Sequence, residues 1–460
     1  MLTAAFLSGA EESSPRVDEY RLEVDFQPKQ SRMTGTAQIR FARDERLSKD
    51  TTFYLHGELR VESLILGGEE VDFSQRPVFY ESDYSLVAIE VTADLSRTQP
   101  GEALTVRYEG PFHPSRASTP SDYMRIEEGG VYLRSYGYSL WFPVFVGALQ
   151  DDYPVDFVTV KITTPPDMTA VFTGRRIDER IVDERRVSVW KALDTPLFDA
   201  QCSARRWDRI GDETVMVYHL SDQASRKKAT DILAFARRSL EFNALHFGVV
   251  SDRETTHIIQ MPKYGDISSG NVSGVSDGSW SRFDDDWISK YLLAHELVHP
   301  FVGRHISRSE DLWCFVVEGF PSYLHLPLLR QELGEEWYGD RIGMMQRQYL
   351  EKRESGFDRR GRALPEEKPI DRISADEIGD YKDVFVLNDR VALFLDYLRR
   401  CIGSERFYSL CADLFRQRQL TSDSVRATLY SAYPGAEIEV DEWLSTTEFH
   451  DWMRVEIHKD

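Results

Sequence analysis

His295 and His299, four residues apart with Glu296 between them, and Glu318 beyond eighteen intervening residues, are the side chains of this sequence best suited to chemistry. On a helix, histidines four apart lie one turn apart on the same face, so both rings reach one metal ion. Zinc suits a nitrogen-rich donor set, and a catalytic zinc takes three protein ligands and keeps one position open for water. Glu318 is the natural third ligand. Glu296 lies one residue along the helix, placed to take a proton from water at the metal. The five-residue pattern alone recurs in unrelated helices; a helical setting and a carboxylate at this distance make it specific. Burying two histidines and two glutamates with no metal between them would cost several kcal/mol.

The neighbouring sequence predicts the elements that position these groups. Residues 287–294 carry apolar side chains at helical spacing with no internal Pro or Gly, so the histidine pair sits on a buried helix. Pro300 lacks a backbone donor and disfavours helical geometry at His299, which predicts a kink or an end there. Ser307 and Glu310 have capping-box spacing, and a second helix is expected from there through Glu318 towards Leu329. Any metal would then be clamped between two antiparallel helices.

At 460 residues the chain is expected to form two or three domains, and 41% hydrophobic with 12% aromatic residues supports sizeable cores. Period-two alternation at 21–26, 37–41, 104–108, 157–162 and 186–190, with turn signals at Gly67-Gly68, Pro100-Gly101 and Pro165-Pro166, predicts many short antiparallel strands. The pattern changes near 220. Residues 221–248 read as an amphipathic helix and 256–260 as a strand; a Gly/Ser-rich stretch from 264 to 280 reads as a connector. Further helices are expected at 391–400 and 405–418, and a charged, exposed loop at 352–369. The fold class is therefore α+β: an N-terminal antiparallel β saddle or sandwich domain over 1–210, and a mainly helical domain over 211–460.

A net charge of −21 argues against nucleic acid or an anionic membrane as partner. Cys202, Cys314, Cys401 and Cys411 are too few and scattered for a disulfide framework. The first residues are apolar but make a poor signal peptide, and no stretch is long enough to span a bilayer, so a cytoplasmic location is expected. The sequence leaves the oligomeric state open.

The stretch HELVHPFVG resembles the HELxHQWFG of the membrane-alanyl aminopeptidase family, gluzincin zinc peptidases that include the leukotriene-hydrolase type. Glu318-Gly319-Phe320 with Tyr323 resembles the family's NEGFxxY, and Trp141-Phe142-Pro143, Thr163-Thr164-Pro165 and Thr173-Gly174 are similar to the end of its saddle domain. The resemblance runs from about 18 to about 453. It implies a saddle-shaped β domain followed by a thermolysin-like catalytic domain, in a short form without the family's further C-terminal domains. It implies one Zn2+ per chain held by His295, His299 and Glu318, with Glu296 as general base, and a small peptide or other small molecule as substrate.

Two family motifs are altered. The GxMEN loop, whose glutamate grips a peptide's free amine, is absent; Asp266, Asn271 and Asp277 are the candidate substrate contacts in that stretch. The YxKG tyrosine, which stabilises the oxyanion, is also missing. Lys368-Pro369-Ile370 upstream and 392–395 downstream place Leu387 or Asn388 at its position and Arg390-Val391 where Lys-Gly would stand. Tyr381 and Asn388 are candidate catalytic groups, and Arg390 a candidate substrate contact or else a surface arginine. Val317 replaces the asparagine that usually precedes the ligand glutamate. The expectation is a zinc hydrolase of aminopeptidase type acting on an amide bond. The alternatives are a zinc hydrolase of a non-peptide substrate and a zinc-binding relative with little peptidase activity.

Overall fold

The structure of the chain is a computed structural model. It describes residues 15–45, 47–80, 86–113, 125–133, 140–145, 154–197, 200–248, 255–262, 267–284, 286–302, 306, 310–357, 363–374, 377, 386–417, 420–433 and 437–448. The chain forms two compact units, one of residues 1–230 with 254–280, the other of 231–253 with 281–460. The expected boundary at 210 differs from this partition, because the strands 207–220 and 256–276 belong to one sheet and go with the first unit.

The first unit is built of β-sheets. Its largest has eight strands in the order Arg175–Val182, Arg185–Pro196, Pro154–Thr164, Val17–Gln27, Arg32–Phe41, Ala103–Pro111, Arg60–Leu66 and Glu69–Val71. Alternation explains the burial directly: Tyr20, Leu22, Val24 and Phe26 of one strand point into the core while Arg21 and Glu23 between them face water. The sheet is not wholly antiparallel as expected, since Val17–Gln27 pairs in parallel with Pro154–Thr164, two strands far apart in sequence. Two four-stranded sheets share its core, in which Tyr20, Phe142, Phe157 and Phe172 meet edge-on or stacked.

The Gly/Ser-rich connector is a correction. Residues Ile267–Ser269 and Val272–Ser276 are strands of a five-stranded sheet, and Val272–Ser276 runs parallel to Thr256–Met261. All five residues of Val272–Ser276 are buried. Small side chains there reflect a crowded sheet interior rather than a mobile loop.

His257 of this sheet is fully enclosed, its Nδ1 3.3 Å from the Tyr218 hydroxyl and its Nε2 3.3 Å from Gly174 O. Burial pushes its pKa down to about 3. The unfolded chain therefore binds a proton between about pH 6.5 and 3 that the folded chain refuses. Stability contributed by neutral His257 is complete above pH 6.5 and falls as pH drops towards 3, by about 1.4 kcal/mol per pH unit at most. His257→Gln should flatten this slope. Denaturant unfolding at pH 7 and pH 4.5 checks it, and an unchanged slope would contradict it.

The second unit is helical. Helix α1 (Gln223–Phe247) contributes its later turns here, followed by α2 (Trp287–Glu296), α3 (Leu326–Leu333), α4 (Glu335–Ser355), α5 (Val391–Ile402), α6 (Ser404–Phe415), α7 (Ser422–Ala432) and α8 (Glu437–Ser445). Thr421 and Ser424 form a reciprocal capping box at the start of α7. The unit's core gathers Leu293, Leu297, Phe315, Phe320, Leu324, Leu395 and Trp443, with Phe394 stacked on Trp443 at 3.8 Å. Within the expected exposed loop at 352–369, Glu367 is instead drawn inward, accepting from the Tyr349 hydroxyl at 2.7 Å. Among the described residues no helix is long and apolar enough to cross a membrane.

Candidate metal centre

Helix α2 starts at Asp286, whose carboxylate caps Ile288 N at 2.9 Å, and buries Leu293, Ala294, His295 and Glu296 on one face. It ends sooner than Pro300 alone predicts. Leu297 N still bonds Leu293 O, but Val298 N turns to His295 O, and His299–Phe301 form a tight 3-10 turn. The tighter turn keeps both histidines on one side. Their Nε2 atoms are 3.2 Å apart and their rings stand at 80°.

The expected second helix is not a plain α-helix. Its beginning at Ser307 lies outside the described residues, and Phe315–Gly319 is a π turn that passes into helical Phe320–Leu324 and then α3. Glu318 therefore sits on the widened turn, a distortion that recurs at functional sites because it re-aims one side chain within a helix. The Ser322 hydroxyl, one turn on, bridges Glu318 O and Asn388 Oδ1 at 2.8 Å each. Gly319 lets α5 approach closely, since a Cβ there would lie 2.6 Å from Val391 Cγ1.

Glu318 Oε2 is 3.7 Å from His295 Nε2 and 4.0 Å from His299 Nε2. Three donors about 2.0–2.1 Å from a tetrahedral zinc would lie about 3.3 Å from each other, so these separations fit such an ion with little movement. Glu296 Oε2 is 4.0 Å from His299 Nε2, and the ligand atoms of His295, Glu296 and His299 all fall within 4.8 Å of each other. The three donor side chains and Glu296 are mostly buried. The donor chemistry, two imidazoles and a carboxylate with a second carboxylate beside them, fits zinc.

A second layer backs the histidines, and the sequence reading overlooked it. His325 is buried with its ring 5.5 Å from that of His295 and 4.3 Å from that of Tyr291. Burial and the neighbouring His295 push its pKa well below the usual histidine range. The Arg341 guanidinium lies over Tyr291 and donates to its hydroxyl at 2.9 Å. The available signal was spacing: Tyr291 is four residues before His295, and His325 is seven after Glu318, each on the face of its neighbour.

The other candidates divide. Asp266 and Tyr381 lie outside the described residues. Asn388 belongs to a second π turn, Val386–Arg390, that packs on the turn of Glu318, and its Oδ1 is held by Ser322. Leu387 is fully buried. In the first unit, Asn271 is neither exposed nor available for a ligand amine. Its Oδ1 accepts from Gly174 N at 2.7 Å, and its Nδ2 donates to Gly174 O and Thr255 O at 3.0 and 2.6 Å. Those bonds fasten Gly174, whose φ of 103° needs glycine. Asp277, also in the first unit, accepts from Gln260 Nε2 at 2.9 Å and remains partly exposed.

Arg390 is a correction too. It is neither a surface arginine nor directed at a ligand: it is fully buried, donates to Trp443 O at 3.0 Å and Glu367 at 3.3 Å, and faces the Trp443 ring. It ties the start of α5 to the chain around α8. Removing one partner of a buried ion pair typically costs about 3–5 kcal/mol. Arg390→Met should therefore lower unfolding free energy by about that amount in denaturant melts; a loss under 1 kcal/mol would contradict this structural role.

No model of a protein family and no curated protein matches the sequence. Solved structures do match. An M1 zinc metallopeptidase from Deinococcus radiodurans aligns over 96% of this chain and 96% of its own, with a TM-score of 0.69 and 15% identity. A mutant of it bound to a Tyr-Ser-Ala substrate gives 0.70 and 16%, again over 96% of both chains. Native yeast LTA4 hydrolase aligns over 95% of this chain and 69% of its own, at 0.67 and 16%. At such identities the likeness is one of fold: from sheets to helices, the chain carries the fold of the M1 zinc metallopeptidases.

Proposed function

We propose that this protein is a zinc-dependent metallohydrolase of aminopeptidase type that cleaves an amide bond in a small peptide or aminoacyl compound. The observation that carries the reading is the convergence of His295 Nε2, His299 Nε2 and Glu318 Oε2 beside the Glu296 carboxylate. The three donors would hold one zinc ion per chain. When bound, zinc supplies a Lewis acid that brings the pKa of water to about 7 and polarises a carbonyl oxygen. Glu296 Oε2 takes the proton from the attacking water and returns it to the leaving nitrogen. Ser322 and the π turn keep Glu318 in place, and the burial of all four groups excludes bulk water, which strengthens each charge interaction.

Asn388 and Tyr381 are the proposed oxyanion donors, in place of the missing tyrosine. Asn271 has its amide committed to backbone and is not proposed as a contact to the substrate amine. The Deinococcus mutant has been captured with a Tyr-Ser-Ala substrate, and a two-domain M1 zinc metallopeptidase mutant with L-arginine and with L-tryptophan, which supports small peptides as the substrate class here. A cytoplasmic location is proposed on the four scattered cysteines, which form no disulfide among the described residues.

Hydrolysis of aminoacyl-amide reporters, measured with and without a chelator, tests the proposal: turnover should vanish on chelation and return with zinc. Full zinc loading without turnover on a broad peptide library would move the substrate outside peptides.

A further inference from the structure

We propose that His325 is a positioning residue for the metal centre: its Nε2 accepts the Nδ1–H of His295 and holds that ring towards the ion. The role rests on the metal-centre reading above. His325 Nδ1 is 2.6 Å from Pro321 O, and a carbonyl only accepts, so Nδ1 carries the proton and Nε2 is a lone pair. That lone pair is buried with no hydrogen-bond partner. An unsatisfied buried acceptor costs about 1–3 kcal/mol, so the site is arranged to receive a donor.

Two rings flank His325. Tyr291 meets it edge-on at 89°, and its hydroxyl is engaged by Arg341. His295 meets it at 78° with ring centres 5.5 Å apart. Among the described residues His295 makes its hydrogen bond through Nε2, to His299. Once Nε2 is given to a metal, the ring's proton resides on Nδ1 and needs an acceptor. Ligating histidines nearly always donate that proton to a carboxylate, carbonyl or water. Here the adjoining acceptor is a neutral imidazole, fixed on one side by Pro321 O and on the other by Tyr291. A neutral acceptor orients the ligand while adding no negative charge to a site that already holds Glu296 and Glu318.

The test is zinc affinity, by competition with a chromophoric chelator, in wild type, His325→Phe and His325→Gln, with zinc-edge X-ray absorption to count imidazole ligands. Phenylalanine keeps the ring but has no acceptor; glutamine restores an acceptor oxygen near the Nε2 position. Loss of such a partner typically weakens metal binding about 10- to 100-fold. The expected result is a loss of that size in His325→Phe, near wild-type affinity in His325→Gln, and two coordinating imidazoles throughout. Equal affinity in His325→Phe overturns the role, as does His325→Gln binding as weakly as His325→Phe. A third imidazole that disappears in His325→Phe overturns it differently, by making His325 a ligand. Wild type that takes up no zinc overturns the metal centre itself, which separates that failure from the others.

Discussion

Glu296→Gln is expected to bind zinc as wild type does and to lose about 10²- to 10⁴-fold in kcat, the range attributed to a positioned general base. The substitution is nearly isosteric, so the buried niche of Glu296 against His299 is kept. What goes is the ability to hold a proton: a carboxylate accepts one and passes it on, whereas an amide does neither at neutral pH. KM should change little, because no substrate contact is assigned to this side chain. Zinc content and steady-state kinetics on one aminoacyl-amide reporter give both halves of the result. Unchanged kcat with zinc bound would remove Glu296 from the mechanism. A kcat loss explained by lost zinc would make it a ligand instead.

His299→Ala carries the second large effect. His299 comes from the 3-10 turn beyond α2, and its Nε2 lies within 4.0 Å of both His295 Nε2 and Glu318 Oε2. Without it two donors remain, and turnover should drop to the background rate. A stability consequence follows by mass action. An ion bound only by the folded state stabilises it by about 4 kcal/mol at a thousand times its Kd. Wild type should therefore melt higher as zinc is added, and His299→Ala should not. Equal zinc-dependent shifts in the two proteins would place the ion elsewhere.

Strand alternation made the first unit legible. Positions 21–26 and 104–108 bury every second residue, and 157–162 keeps that period from Val160 onward, after a register shift between Phe157 and Val160. The proposed metal ligands stood out in the sequence because metal-ligand sets follow a fixed spacing. Other features left no such mark. Parallel pairing of Val17–Gln27 with Pro154–Thr164 joins segments far apart in the chain, and alternation is blind to strand direction. The π turn at Glu318 uses residues any α-helix accepts. Arg390 looks exposed because arginine usually is; its partners stand 23 and 53 residues away and appear only once the chain is folded. Asn271 read as a ligand group for a related reason. A Gly/Ser-rich stretch suggests a loop, whereas its small residues fill a buried sheet and the amide fastens Gly174.

The two π turns give the site its shape. Glu318 lies on one and Asn388 on the other, and Ser322 links them through hydrogen bonds of 2.8 Å to each. A proposed ligand and a proposed oxyanion donor thus share one support. Disturbing Ser322 should affect metal affinity and turnover together.

Zinc titration of protein stripped by a chelator, followed by calorimetry with hydrolysis assayed on each aliquot, tests the central claim most directly. One zinc ion per chain should bind, and amide hydrolysis should return in proportion to occupancy, reaching its maximum at one equivalent. Full hydrolysis by the stripped protein, or no zinc uptake at the His295, His299 and Glu318 site, would contradict it.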